Sequence, residues 1–180
     1  CVEVWLGAES GSQMVLDARD KGITVADIAA ARGRLRRAGV RACFFVQFGY
    51  PGETFHDILL TAAMVRDLMP DDIGVSVSYP LPGTLFHERV RAQLGSKTNW
   101  NDSDDLAMIF EGAYASDFYR HLHRLLHDEL DIRHAIGRDT LTPETAAKLN
   151  GIAQEWRRLE GTEAAHRSAT PLVLRPYAVP

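Results

Sequence analysis

The chain has 180 residues, 46% hydrophobic and 24% charged, with a formal net charge of -4 and a pI near 6.0. It is therefore globular material, long enough for one sizeable core. The acidic balance excludes the broad basic field that nucleic-acid binding requires, and no apolar run approaches the ~20 residues of a membrane span. A cytoplasmic protein acting on a small molecule is expected.

Val2, Val4 and Leu6 alternate with Glu3 and Trp5, the period of a half-buried strand that gives way to a loop at Gly7. Residue 1 is Cys rather than Met and the chain opens inside this strand, so the expectation is a piece whose N-terminal half belongs to the same protein. Thr24 and Asp27 form a capping box for a helix with Ile28, Ala31, Leu35 and Ala38 on one face and a stop at Gly39. Arg32, Arg34, Arg36 and Arg37 read as its charged C-terminus. Aromatic and β-branched density from Arg41 to Phe48 predicts a second strand. Thr54 and Asp57 cap a second helix that Pro70 ends, and Ile73, Val75, Val77 and Tyr79 alternate with Gly74, Ser76 and Ser78 in a third strand.

After Leu94 the pattern is helical, with Ser116 and Thr142-Pro143 as starts, the last helix ending at Gly161. Asp102, Ser103, Asp104 and Asp105 read as a helix cap and acidic first turn. The fold class expected is α/β: three βα units forming the second half of a partial parallel (β/α) barrel over 1–94, then an all-helical extension over 95–161. The tail 162–180 is expected to be extended or disordered.

Loop residues follow each strand at the edge where α/β proteins bind ligands: Gly7 with Glu9 and Ser10, Gly49 with Gly52, and Pro82 with Gly83. Glu9, Ser10 and Gln47 carry groups suited to ribose hydroxyls or an amino-acid moiety, and glycines admit close backbone approach. Read physically, the pattern implies a polar small molecule at a strand edge. His123 and His127 have the spacing of a zinc-binding pair, but Arg124 stands between them where a metalloprotease has glutamate, and no third ligand follows. Cys1 and Cys43 are too few and too distant for a metal site or disulfide framework, so no metal ligands are expected, and Cys43 reads as a small apolar strand residue. Trp5, Phe45 and Tyr79 read as core.

Three ordered stretches carry a resemblance: Glu9-Ser10-Gly11-Ser12-Gln13 with Leu16-Asp17-Ala18 and Lys21-Gly22, Gln47-Phe48-Gly49-Tyr50-Pro51-Gly52-Glu53-Thr54, and Tyr79-Pro80-Leu81-Pro82-Gly83-Thr84. Together they resemble the second half of a radical S-adenosylmethionine enzyme, of the branch with an N-terminal cobalamin-binding domain. Asn99-Trp100 and Asp102 to Leu106 match more loosely. The resemblance implies S-adenosylmethionine held by Glu9, Ser10, Gln47, Gly49, Gly52 and Pro82, with a 4Fe-4S cluster and cobalamin bound by parts outside this chain. It implies a 5'-deoxyadenosyl radical used for hydrogen abstraction or methyl transfer on an unspecified organic substrate. The family's Gly-x-Ile before the second motif is replaced here by Phe45 and Gln47, its three clustered cysteines are absent, and no catalytic acid or base is identified. The alternative is a non-enzymatic α/β ligand-binding or interaction module on the same scaffold.

Overall fold

The computed structural model describes residues 1–94, 106–138 and 141–168. The expected cap at Asp102–Asp105, Asn99-Trp100 and the end of the expected tail, 169–180, lie outside them. Among the described residues the chain is α/β, with a three-stranded parallel sheet and six helices in the order β1 (Glu3–Glu9), α1 (Gln13–Ala18), α2 (Val25–Arg37), β2 (Arg41–Phe48), α3 (Phe55–Leu68), β3 (Ile73–Val77), α4 (Leu85–Leu94), α5 (Ser116–Arg138), α6 (Pro143–His166). No helix among the described residues is long and apolar enough to cross a membrane.

The sheet order is β1-β2-β3, with Leu6 beside Phe44 and Phe44 beside Ile73. Helices connect the successive strands, as parallel pairing demands. An open sheet with two outer edges is what these residues show; closure toward a barrel is not seen among them.

Local chemistry explains the boundaries. Thr24 with Asp27 and Thr54 with Asp57 form the expected capping boxes of α2 and α3. Met69 closes α3 in the left-handed region, φ 44°, and Pro70 cannot continue it. Two boundaries differ from expectation. β1 runs through Gly7 to Glu9, with a register shift between those two residues that lets one extra residue into the strand. α6 passes Gly161 and ends at His166, so 162–166 is helical rather than extended. The ~1 kcal/mol that glycine costs inside a helix is offset beyond it: Glu163 accepts from Tyr114 at 2.6 Å, and the His166 ring lies 5.9 Å from Phe118.

One face of the sheet carries the core. Phe44, Val46, Phe48, Ile73 and Val77 are buried with Ile58, Ala62 and Val65 of α3, Phe118, Leu122 and Leu126 of α5, and Trp156 and Leu159 of α6. The long helices thus share a single core with the strands. Glu129 of α5 fastens them: it accepts from Arg66 of α3 at 2.6 and 2.9 Å, from Arg133 at 2.9 Å and from the indole of Trp156 at 2.7 Å. The opposite face is uncovered. Trp5 and Phe45, expected in the core, are 39% and 51% exposed there, because period-2 alternation shows that two faces differ without showing which one a helix covers.

Candidate functional site

At the C-terminal edge of the strands, a cation absent from the sequence-derived site set organises the polar groups. Arg19, the cap residue after α1, sends its guanidinium across the sheet. It donates to Ser78 Oγ at 3.0 Å, to the Gln47 side-chain oxygen, and to Glu9 Oε2 at 3.4 Å. Its carbon centre stands 5.2 Å from the centroid of the Tyr50 ring. Burial pushes the Arg19 pKa down, opposed by Glu9 and Glu53.

Glu9 sits at the strand irregularity with φ 60°, a conformation unusual for a residue other than glycine and found at functional turns. Its other oxygen accepts from Lys21 Nζ at 2.8 Å. The pair folds down over Gly7, where an added Cβ would lie 3.1 Å from both Glu9 Oε1 and Lys21 Nζ. Gly7 therefore makes room for an ion pair on the open face. Gln47 donates in turn to Ser76 Oγ at 3.3 Å.

The remaining expected residues are placed differently. Ser10 is fully buried, its hydroxyl 3.0 Å from Thr61 Oγ1 and accepting from Ser12 N at 3.1 Å. Beside it, an added Cβ at Gly11 would come within 2.3 Å of the Leu60 carbonyl oxygen, so this loop lies directly on α3. Gly49 adopts φ 78°, and its N–H donates to Glu53 Oε2 at 2.7 Å. An added Cβ there would stand 3.0 Å from Met108 Sδ. Gly52 has φ 93° in the turn that the Glu53 N to Tyr50 O bond closes at 2.9 Å. Pro82 is exposed in the turn after β3. Glu9 and Gln47 are thus joined through Arg19, while Ser10 and Gly49 turn inward.

Glu53 is the unusual acid. It is fully enclosed, and burial raises its pKa to about 8 against the opposing Gly49 hydrogen bond and Arg19 charge. Its Oε1 and the hydroxyl of Tyr119 are both buried without a hydrogen-bond partner. Burial, with Glu53 nearby, likewise raises the Tyr119 phenol.

Among the described residues no three His, Cys, Asp or Glu side chains converge in a way that could hold a metal ion. Cys1 is exposed and Cys43 buried, both free, and burial raises the Cys43 thiol. The His123 and His127 rings lie 4.4 Å apart. Arg19, Lys21, Ser76 and Ser78 are the groups that reading along the chain missed; Lys21 lies in a quoted motif, and Arg19 answers the question of which cation balances Glu9.

The fold and edge define an α/β protein with a charged polar cluster where parallel sheets bind ligands. No protein-family model matches the chain. It is similar to a provisionally named methylthiotransferase of Methanocaldococcus jannaschii, 35% identical over 81 residues, which are 45% of this chain and 18% of that protein. It is also similar to an uncharacterized methyltransferase of Pyrococcus horikoshii, 25% identical over 135 residues, 67% of this chain and 29% of that protein. The chain thus spans less than a third of the length of either relative.

Proposed function

We propose that this chain is part of a radical S-adenosylmethionine enzyme transferring a methyl or methylthio group, and that the strand edge around Arg19 holds the cofactor. One observation carries the reading: Arg19 ties Glu9 of β1, Gln47 of β2 and Ser78 beyond β3 into one cluster above an open sheet face. Support comes also from the three ordered motifs and from the relatives named for methylthio and methyl transfer.

The donors fit the cofactor's polar parts. A carboxylate at Glu9 accepts from ribose hydroxyls or an ammonium, the Gln47 amide both donates and accepts, and Arg19 can meet a carboxylate. When bound, the cofactor supplies a transferable carbon group or, through its sulfonium, carbon-radical chemistry. The chain's own residues bind and orient: Ser10 holds the loop against α3, Gly49 and Gly52 set the turn that carries Tyr50, and Arg19 aligns groups of β1, β2 and the loop that follows β3. The residues described here do not fit an iron-sulfur cluster, which needs converging thiolates. Cluster ligands would come from outside this chain, and cobalamin enters only through the motif resemblance.

Calorimetric titration of S-adenosylmethionine into the intact protein tests the reading. Glu9→Gln and Gln47→Ala should each weaken binding about five- to hundredfold, the equivalent of one or two polar contacts to the ligand. Unchanged affinity in both variants would remove the edge from the cofactor site and favour a binding module without this chemistry.

A further inference from the structure

Below the charged edge, the open face of the sheet holds an aromatic platform. Trp5 and Phe45 stack with ring centroids 4.7 Å apart and planes 29° from parallel. The rings lean across the sheet onto β3, where Gly74 has no side chain. An added Cβ at Gly74 would lie 2.8 Å from Phe45 Cδ1 and 3.4 Å from Trp5 Cζ3. The indole N–H is tied to Glu3 Oε1 at 3.1 Å, so Trp5 is anchored at its polar end. Despite this, the two rings remain 39% and 51% exposed.

Phe45 pairs with Gly7 on one side and Gly74 on the other, so neither flanking strand puts a side chain of its own at the level of that ring. The Glu9–Lys21 pair closes that level from above, over Gly7. Around it one carboxylate, Glu9, faces two cations, Lys21 and Arg19. Arg19 has Glu53 as a further acidic neighbour, whereas the exposed Lys21 pairs with Glu9 alone among the described residues and has donors beyond the one that Glu9 takes. Apolar rings supply stacking without base-edge or hydrogen-bond selection, while the cationic rim selects sign.

The geometry points to a substrate subsite on this face for a planar aromatic ring bearing one anionic group, the ring stacked on Trp5–Phe45 and the anion directed to Lys21. This assignment names the substrate class for the enzyme proposed above and rests on that reading, but its ligand is separate from the cofactor.

The test uses the intact protein saturated with S-adenosylmethionine and three probes: 2-naphthoate with ring and charge, 2-naphthamide with ring alone, and cyclohexanecarboxylate with charge alone. Calorimetry should rank 2-naphthoate tightest. Trp5→Leu should weaken 2-naphthoate about five- to hundredfold, the effect of losing one stacked ring, with S-adenosylmethionine affinity unchanged. Trp5→Phe, which keeps a ring, should retain most of the binding. Lys21→Met should weaken 2-naphthoate and leave 2-naphthamide unaffected. Equal affinity for 2-naphthoate and cyclohexanecarboxylate, or full binding by Trp5→Leu, would overturn the subsite. So would a Trp5→Leu variant that only lost self-association in sedimentation, since the face would then be a contact between copies. Failure of the cofactor reading is read separately, from the Glu9 and Gln47 variants.

Discussion

Glu53 is the residue whose environment departs furthest from its ordinary chemistry. Its carboxyl titrates near 8 because burial disfavours the anion more than the Gly49 amide and Arg19 favour it. The unfolded chain releases this proton first, in the usual carboxyl range, so the folded state binds more protons between that range and about pH 8. Stability must therefore fall as pH rises through this window, by up to about 1.4 kcal/mol per pH unit from this group, and level off above it. Glu53→Gln keeps an acceptor for Gly49 N–H and cannot ionise. Its melting temperature should exceed that of the wild type at pH 8.5 and match it near pH 5; an identical difference at both pH values would refute the assignment. Ser10 supplies a contrasting case. With its hydroxyl shared between Thr61 and Ser12 N and no exposed surface, Ser10→Ala should cost about 1 to 3 kcal/mol of stability, the range for orphaned buried polar partners. Urea unfolding measures that cost, and cofactor affinity should move far less than in Glu9→Gln. The motif made Ser10 visible along the chain, but nothing in a linear pattern tells whether a serine hydroxyl faces a ligand or the helix beneath it. Arg19 shows the converse: its partners lie 10, 28 and 59 residues away in sequence, so its role exists only after folding.

Elements with long periodic patterns were legible, and those built from tertiary contacts were not. The capping boxes at Thr24 and Thr54 and the alternation in β3 mark their elements because the local hydrogen bonds and side-chain periods are properties of a few adjacent residues. The six residues of α1 are too short to show a helical period, and only the Ser12 cap, accepting from Val15 N, marks the start. The extension of α6 past Gly161 depends on Tyr114, just before α5, and Phe118 within it, which lie far from that extension in sequence. Packing of α3, α5 and α6 around Glu129 is equally invisible in sequence. Its side chain is only 6% exposed, whereas Arg66 and Arg133 are 28% and 36% exposed. Breaking this junction with Glu129→Ala should cost about 2 to 4 kcal/mol, toward the lower part of the range for buried ion pairs because the guanidiniums keep some water. Burial raises the Glu129 carboxyl, but Arg66, Arg133 and Trp156 outweigh it and hold the pKa below its usual value. The junction's contribution is thus complete above the unfolded carboxyl range and lost as pH falls through the folded value. Denaturant unfolding at pH 7 and pH 3 should show a large gap between wild type and Glu129→Ala at the first and a reduced gap at the second. A gap that persisted undiminished at pH 3 would locate the effect in packing alone.

At the scale of the whole chain, the sheet is covered on one face and bare on the other, with β1 and β3 both unpaired on their outer sides among the described residues. This asymmetry separates the two kinds of information in the molecule. The covered face holds Phe44, Val46, Phe48, Ile73 and Val77 in one core with the long helices, and such a core is what hydrophobic periodicity encodes. The open face and the strand edge combine glycines, aromatic rings and ions whose partners are distant in sequence, the kind of arrangement expected of a functional or strained region. The same asymmetry has a physical consequence. A parallel edge presents unpaired N–H and C=O groups, and at β1 it begins beside Val2, which is 83% exposed. The 180-residue chain by itself should therefore self-associate in a concentration-dependent way through this edge. Val2→Lys places a charge at the edge without touching the core, since the Val2 carbonyl keeps its bond to Arg41 N at 3.0 Å. Sedimentation velocity should show the wild-type chain as a mixture of oligomers and Val2→Lys shifted toward monomer, with the melting temperature little changed. A wild-type chain that sediments as one monomeric species across the accessible concentration range would show that the β1 edge is protected.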